Sequence, residues 1–343
     1  MDVIFAWYHA HTDGIGARIF HETLLRKLNM VTADEVSLPL TNRVLELPGV
    51  AEKFPPAQEG LAKYRVSPGY AITAAWKELV TGPTNPATWA PVQQKPVTTA
   101  MRSFSMDHAT LQRVLAVCRE NGTTLTGLFN AVVLVSLSER LEEAKAKSFS
   151  ALTARNMRPC TPADKARYAW LEPKEMVGNN VTVINHEFGV KEVARVRRAI
   201  ESAASGDRFE AVAEMVWSAA TRVKGEIRDS VALGLRNNHV GIMWLVGDWR
   251  EYMKGQLRQP RETSWLVTNL GVFDSAEEGP WGVERARFSL GADVTGPALH
   301  VCAIAVRRRE LVVDVTWQEG MVDVDVGEGV TVDLEAWLRY FGK

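Results

Sequence analysis

A chain of 343 residues, 46% hydrophobic and 24% charged, has the make-up of a soluble globular protein, long enough for two modest domains or one large two-lobed body. Lysine and arginine number 40 against 41 aspartates and glutamates, a formal net charge of -1, so the composition holds neither a basic nucleic-acid surface nor an acidic solvating tail. Three scattered cysteines, Cys118, Cys160 and Cys302, form no CxxC pair and no zinc spacing, which points away from a metal centre and toward a reducing, cytoplasmic compartment.

The chain opens on Val3-Ile4-Phe5-Ala6-Trp7, a short apolar run rich in β-branched and aromatic residues that predicts a buried strand. Asp2 stands where a secretory leader carries basic residues, so the run is not read as a signal peptide. Tyr8-His9-Ala10-His11-Thr12-Asp13-Gly14 follows, and then Ile15, Ile19, Phe20, Leu24, Leu25 and Leu28 recur at helical spacing. A histidine at a strand end is held on a rigid element, which suits a general base; an ordinary surface or core imidazole fits the same pattern. His9-Ala10-His11-Thr12-Asp13-Gly14 resembles the HxxxDG signature of the superfamily that contains CoA-dependent acyltransferases, nonribosomal peptide condensation domains and fungal alcohol acetyltransferases. The resemblance makes His9 the active histidine, with Tyr8 in the place of the first histidine of the paired form. His11 lies outside the pattern.

From Met30 to Ala57, Pro39, Pro48, Pro55 and Pro56 break up short apolar pieces, which predicts loops with at most short helices. Pro68 opens a further helix running to about Leu79. Thr81 to Pro96 is turn-rich, and Val97 to Phe104 reads as an extended crossing segment. In the resembled family such a linker joins two lobes, which implies a division into residues 1–100, carrying the histidine motif, and residues 101–343. The family also has a substantial stretch ahead of its histidine motif. The expectation is therefore an α/β (α+β) fold, two-lobed and CoA-dependent acyltransferase-like with mixed sheets, whose first lobe is incomplete.

Ser105 to Arg140 is the clearest helical region: Ser105 or Asp107 is the cap, Leu111, Val114, Leu115 and Cys118 make an apolar stripe, and Asn121-Gly122 stops the helix. Leu125, Leu128, Phe129, Val132 and Val133 mark a second helix after Thr123-Thr124. Its Ala131–Val135 run is far too short to span a membrane. Lys147 to Thr153 predicts a strand, followed by Ala154-Arg155-Asn156-Met157-Arg158-Pro159. The family places an arginine after this strand. Arg158 is the closer match and Arg155 the competitor, and either is a partner for a buried Asp13 carboxylate, which needs a countercharge. The resemblance makes Asp13 a brace for the site, together with Gly14, and not a relay to His9.

Met176-Val177-Gly178-Asn179-Asn180-Val181-Thr182-Val183 enters a strand through a Gly-Asn turn and resembles the family segment beside the acceptor pocket, which brings in Asn180. Residues 192–203 and 209–224 predict two amphipathic helices. Met243, Trp244 and Trp249 suit either an apolar cavity or core packing. Ser264-Trp265-Leu266-Val267-Thr268-Asn269-Leu270-Gly271 reads as a strand whose end resembles the family's SNLG or TNLG segment, with Thr268 and Asn269 as oxyanion or acceptor-pocket residues. An ordinary turn explains Asn and Gly there equally well. Ala298–Val306 and Leu311–Trp317 predict two strands joined by a solvated Arg307-Arg308-Arg309-Glu310 end, and Val332–Tyr340 a last helix.

The resemblance implies direct transfer of an acetyl or short acyl group from CoA to the hydroxyl of a secondary metabolite. An imidazole accepts a proton near neutrality, so His9 is the general base toward a small-molecule alcohol. No permanently bound cofactor is implied, and acetyl-CoA or another acyl-CoA is the cosubstrate. A carrier protein acting in trans belongs to a condensation-like alternative; a cyclase reusing the cleft and a vestigial binding protein are the others. No nucleic-acid partner, membrane span or metal is expected. A complete wall of the first hundred residues around His9 favours acyl transfer, whereas an imidazole open to solvent favours the binding reading.

Overall fold

In this computed structural model, residues 1–31, 54–76, 97–160, 168–203, 208–275 and 279–343 are described, together with 40–41, 44–45, 85, 87–93 and 95. Parts of the expected loops at 30–57 and 81–96, and the end of the helix expected to reach Leu79, lie outside the described residues.

Six strands form one mixed sheet in the order β3-β8-β7-β6-β4-β5. They are β3 (Thr99–Met106), β4 (Phe149–Asn156), β5 (Val181–Phe188), β6 (Trp265–Phe273), β7 (Leu299–Val306) and β8 (Leu311–Gln318). The pairs β3–β8, β8–β7 and β4–β5 are antiparallel, while β7–β6 and β6–β4 are parallel. Two very short strands, β1 (Leu40–Thr41) and β2 (Val44–Leu45), pair apart from it. The helices are α1 (Gly14–Met30), α2 (Gln58–Leu61), α3 (Pro68–Trp76), α4 (His108–Glu120), α5 (Leu125–Arg140), α6 (Val190–Ser202), α7 (Arg208–Leu233), α8 (Trp249–Gln256) and α9 (Val324–Phe341).

One sheet face is covered by helices. α5 packs against α6, α7 and α9, and Leu128, Val132, Val135, Val216 and Trp337 join Trp265, Val301, Val313 and Trp317 in the main core. Helix α5 can be buried almost all round because its apolar positions are continuous; its few polar groups find partners inside. Asn130 Nδ2 donates to Thr153 Oγ1 at 3.2 Å and its Oδ1 accepts from Trp265 Nε1 at 2.9 Å. The two imidazole nitrogens of His186 lie 2.9 Å from Thr153 Oγ1 and 2.5 Å from Glu226 Oε2.

Because side chains alternate along a strand, the other face carries a different set. There Leu270, Phe273, Cys302, Ile304 and Val306 pack with Leu25 of α1 and Phe288 in a smaller core. His300, Asp314 and Thr316 share this face and are buried too. Burial pushes the Cys302 thiol pKa strongly up, so it stays a neutral packing group.

Several elements differ from the sequence expectations. Val3–Trp7 is not a strand: Ile4 is 89% exposed, and the Phe5 and Trp7 rings stack on Phe20 (4.2 Å between centroids) and Phe288 (6.3 Å). An apolar alternation needs a neighbouring strand to become β structure, and here aromatic packing takes its place. β4 continues through Arg155 to Asn156, beyond the expected end. α7 runs on to Leu233, and α9 begins at Val324, capped by Asp323, because buried Val326 and Val330 outweigh the poor propensity of its two early glycines. Trp244 and Trp249 lie largely exposed at 77% and 45%, so neither belongs to a buried cavity or the core.

Candidate active site

Asp13 is the N-cap of α1. Its Oδ1 accepts from the Gly16 backbone N–H at 2.8 Å, satisfying one of the helix's unpaired donors. Its Oδ2 accepts from Arg158 Nη1 at 2.9 Å and from the Asn180 backbone N–H at 2.7 Å. Both side chains of the ion pair are almost wholly buried, at 4% and 2% exposure. Arg158 sits in a 3-10 turn just past β4, and its other donors are spent on carbonyls: Nε on Met176 at 3.0 Å and Nη2 on Gly178 at 2.8 Å. Arg155 points elsewhere, with Nη1 on the Ser230 carbonyl at 2.7 Å and Nη2 on Cys160 Sγ at 3.2 Å.

The arginine therefore binds the histidine motif to the Gly178-Asn179-Asn180 turn. Thr12 Oγ1 donates to the Gly178 carbonyl at 3.4 Å, and Asn179 Nδ2 donates to the His9 carbonyl at 2.9 Å. Backbone at Tyr8–His11 makes a tight turn, with His11 N–H on the Tyr8 carbonyl at 2.9 Å. The His9 side chain at its apex is exposed, as is that of His11, whose ring meets Tyr8. The Asp13 carboxylate is thus committed to Gly16, Arg158 and Asn180.

On its other flank the motif meets β6. A Cβ on Gly14 would stand 2.8 Å from Leu270 Cδ2 and 3.0 Å from Phe288 Cζ, so this position admits α1 to the strand only because it lacks a side chain. Arg18 Nη1 donates to the Leu270 carbonyl at 2.7 Å. β6 is bulged here: its register against β7 shifts between Asn269 and Val272, and Gly271 takes φ +74°. Asn269 holds the bulge, accepting from Gly271 N–H at 2.9 Å and donating through Nδ2 to Thr126 Oγ1 at 3.2 Å. Thr268 lies on the same strand face as Leu270, 9% exposed, and its hydroxyl has no hydrogen-bond partner. Asn180 Oδ1 and Asn179 Oδ1 are likewise buried and unpartnered. Unpaired buried polar atoms are costly, and these three lie on the segments that meet the motif.

Two residues of this region escape sequence reasoning. His300 of β7, 1% exposed, places Nε2 3.2 Å from Asp293 Oδ2 in the segment leading to that strand. Desolvation acts upward on the Asp293 carboxyl, but the His300 hydrogen bond and the charges of His300, Arg261 and His9 outweigh it and hold its pKa below the usual carboxylate range. Gly-Ala-Asp-Val-Thr-Gly gives no signal beyond a turn, and a histidine seven residues later has no motif spacing. Among the described residues, no group of three or more His, Cys, Asp or Glu side chains is placed to hold a metal ion, and no helix is long and apolar enough to cross a membrane.

Comparison with known proteins matches residues 1–325 to the alcohol acetyltransferase family. A probable alcohol acetyltransferase, FCK4, of Fusarium pseudograminearum is 28% identical over 98% of this chain and 66% of its own length. Another, crmB, of Aspergillus fumigatus is 20% identical over 93% of the chain and 65% of its own. The chain thus spans about two-thirds of the length of these curated relatives. Among solved structures, the TRI3 trichothecene 15-O-acetyltransferase of Fusarium sporotrichioides is similar with a TM-score of 0.61 at 14% identity, over 96% of this chain and 64% of that one. The epimerization domain of the third module of tyrocidine synthetase B is similar at 0.56 and 15% identity, over 98% and 67%. At these identities the two structures speak to the fold, that of condensation domains and acyltransferases.

Proposed function

The chain belongs to the alcohol acetyltransferase family, and from that premise we propose that it is an O-acyltransferase, moving an acetyl or short acyl group from CoA to a hydroxyl of a secondary metabolite. The observation that carries this reading is the packing of Gly14 directly on Leu270, which joins the histidine motif to the Thr-Asn-Leu-Gly strand end across 256 residues of sequence. The names of the fungal relatives support the substrate class.

The chemistry is a single displacement. His9 takes the proton of the acceptor hydroxyl as its oxygen attacks the thioester carbonyl. The tetrahedral oxyanion needs a donor that is fixed before it forms, and the unpartnered Thr268 hydroxyl supplies one. Asn269, committed to Thr126 and Gly271, shapes the strand end. Collapse expels the CoA thiolate, which recovers the proton from His9. Asp13, Gly14, Arg158 and Asn180 hold the loop on which His9 stands. We keep the division near residue 100, with the histidine motif in the first part, and a cytoplasmic setting. A carrier protein in trans belongs to this proposal only if CoA thioesters fail as donors.

One observation favours a second reading, a binding protein without turnover: the His9 side chain is exposed. Incubation with acetyl-CoA and a panel of hydroxylated metabolites, following CoA release with wild type and His9→Ala, separates the two. Acceptor-dependent release lost in His9→Ala supports transfer. Release equal in both proteins removes His9 from the mechanism, and acetyl-CoA binding without release supports the second reading.

A further inference from the structure

The helix that follows the histidine motif meets β6 twice. Gly14 packs on the Leu270 side chain, and Arg18, one turn further along α1, reaches the backbone of the same residue. Arg18 Nη1 donates to the Leu270 carbonyl at 2.7 Å and to the Val272 carbonyl at 3.4 Å, so one nitrogen spans the glycine between them. That glycine is the centre of the bulge. Gly271 takes φ +74°, and the register against β7 steps from Asn269 with Ala303 to Val272 with Ala305, which leaves Leu270 and Gly271 between the paired positions. Leu270 is only 5% exposed, and a buried carbonyl displaced from the ladder takes its donor from elsewhere; here the guanidinium supplies it. Glu22 lies 3.3 Å from Arg18 Nε, and the two side chains are largely covered, at 31% and 25% exposure. The carboxylate thus holds the guanidinium from one side and the strand carbonyls from the other.

We propose that Arg18 is a positioning residue for acyl transfer, a clamp that fixes the β6 bulge and, through it, the Thr268 hydroxyl relative to the histidine motif. This rests on the acyl-transfer reading above. Asn269 secures the bulge from the side of α5, through Thr126 Oγ1 and the Gly271 N–H; Arg18 secures it from the side of α1. Thr268 stands one residue before Asn269, so the direction in which the strand turns there sets where its hydroxyl points. An oxyanion donor has to be fixed before the charge develops, and a misplacement of about 1 Å costs on the order of a hundredfold in rate. The Asp13–Arg158 pair ties the motif to β4 and to the Gly178-Asn179-Asn180 turn, on the other flank. Arg18 adds a polar hold on β6 to the packing of Gly14, so that general base and oxyanion donor are carried on one connected unit. A single nitrogen serves both carbonyls, and an ammonium with its three donors can take that place.

Two measurements test the clamp and its role separately. Backbone amide exchange, followed by NMR in wild type and Arg18→Met, reads the clamp without any substrate. The Gly271 amide is expected to exchange several-fold faster in the variant, with less change at the Leu128 amide inside α5. Unchanged Gly271 exchange, or equal acceleration at both amides, overturns the proposal whether or not the protein turns over. The second measurement is acyl transfer from acetyl-CoA by wild type, Arg18→Met, Arg18→Lys, Thr268→Val and the double variant of Arg18→Met with Thr268→Val. Arg18→Met is expected to lose about 10- to 100-fold in kcat with KM for acetyl-CoA nearly unchanged, and Arg18→Lys to keep most of the rate. Thr268→Val is expected to cost far less in the Arg18→Met background than in wild type, because the hydroxyl has already lost its aim. Losses that multiply, or a wild-type kcat in Arg18→Met, overturn the role while leaving acyl transfer standing. Where Arg18→Met fails to fold, the same cycle built on Arg18→Gln decides in the same way. A wild type that never turns over defeats the acyl-transfer reading, and with it the role assigned here.

Discussion

Arg158 and Asp13 stand 145 residues apart in sequence and form a buried ion pair, with Nη1 2.9 Å from Oδ2. The pair ties the start of α1 to the end of β4, and it is fully satisfied: the carboxylate also receives two backbone N–H groups, and the guanidinium also meets carbonyls of Met176 and Gly178. Removing one partner leaves the other charged and buried. Asp13→Asn and Arg158→Met are each expected to lose about 3–5 kcal/mol of stability. The double variant is expected to lose much less than the sum. Urea midpoints of the four proteins in a double-mutant cycle check this, and additive losses refute the coupling.

Gly14 makes a steric prediction in the same turn. A methyl group there meets Leu270 Cδ2 at 2.8 Å and the Phe288 ring at about the same range, so Gly14→Ala overpacks the junction between motif and strand. A loss of about 1–3 kcal/mol is expected. Because the nearest obstacle is the end of a side chain, Leu270→Ala in the same protein should recover part of it. Thermal unfolding of the single and double variants decides; no recovery places the obstruction in Phe288.

The Thr268 hydroxyl separates a structural group from one that meets a substrate. It is buried and unpartnered, so Thr268→Val, of nearly the same shape, removes no protein hydrogen bond and is expected to leave stability within about 1 kcal/mol of wild type. If the hydroxyl donates to the oxyanion, kcat falls by about 10²- to 10³-fold with little change in KM. Normal turnover in a well-folded Thr268→Val excludes that role.

Much of this architecture is legible along the chain where one local signal decides it. Asp107 and Thr124 cap α4 and α5, Asn121-Gly122 separates them, and the apolar stripes between are unambiguous. β6, β7 and β8 appear as apolar runs bounded by turns because buried strands need little else. Val3–Trp7 misleads because strand formation depends on a partner that no local pattern reveals; aromatic stacking uses the same residues. Arg155 and Arg158 are close in sequence and equivalent by composition, and only the end of β4 sends one to Ser230 and the other to Asp13. Asp293 and His300 are invisible for the same reason: their meeting is made by the sheet, not by spacing.

Acid sensitivity is expected at the far side of the sheet. Desolvation raises the Glu226 pKa, but the hydrogen bonds from His186 and Arg222 prevail and hold it below its ordinary 4.5. A carboxylate with a lowered folded-state pKa stabilises the fold fully above its unfolded pKa, and that contribution disappears as pH falls through the folded value. Glu226→Gln should therefore be less stable than wild type at pH 7, and the gap should close below about pH 4.5. Urea midpoints at pH 7, 5, 4 and 3 give the comparison; a gap independent of pH means that packing, not charge, explains the loss.

Cysteine reactivity gives the last prediction. Cys118 is buried on α4, and desolvation pushes its thiol pKa up to about 11, so almost none is thiolate at pH 8. Cys302 is more deeply buried, within the small core under α1, and its thiol is pushed up further. Cys160 is only half-buried, and its sulfur accepts a hydrogen bond from Arg155 Nη2 at 3.2 Å. Native protein treated with iodoacetamide at pH 8 should carry one label, on Cys160, by peptide mass spectrometry, and denatured protein should carry three. Early labelling of Cys302 in the native protein would show that the sheet face beneath α1 opens to solvent, and the packing of Gly14 on Leu270 would then be a transient contact.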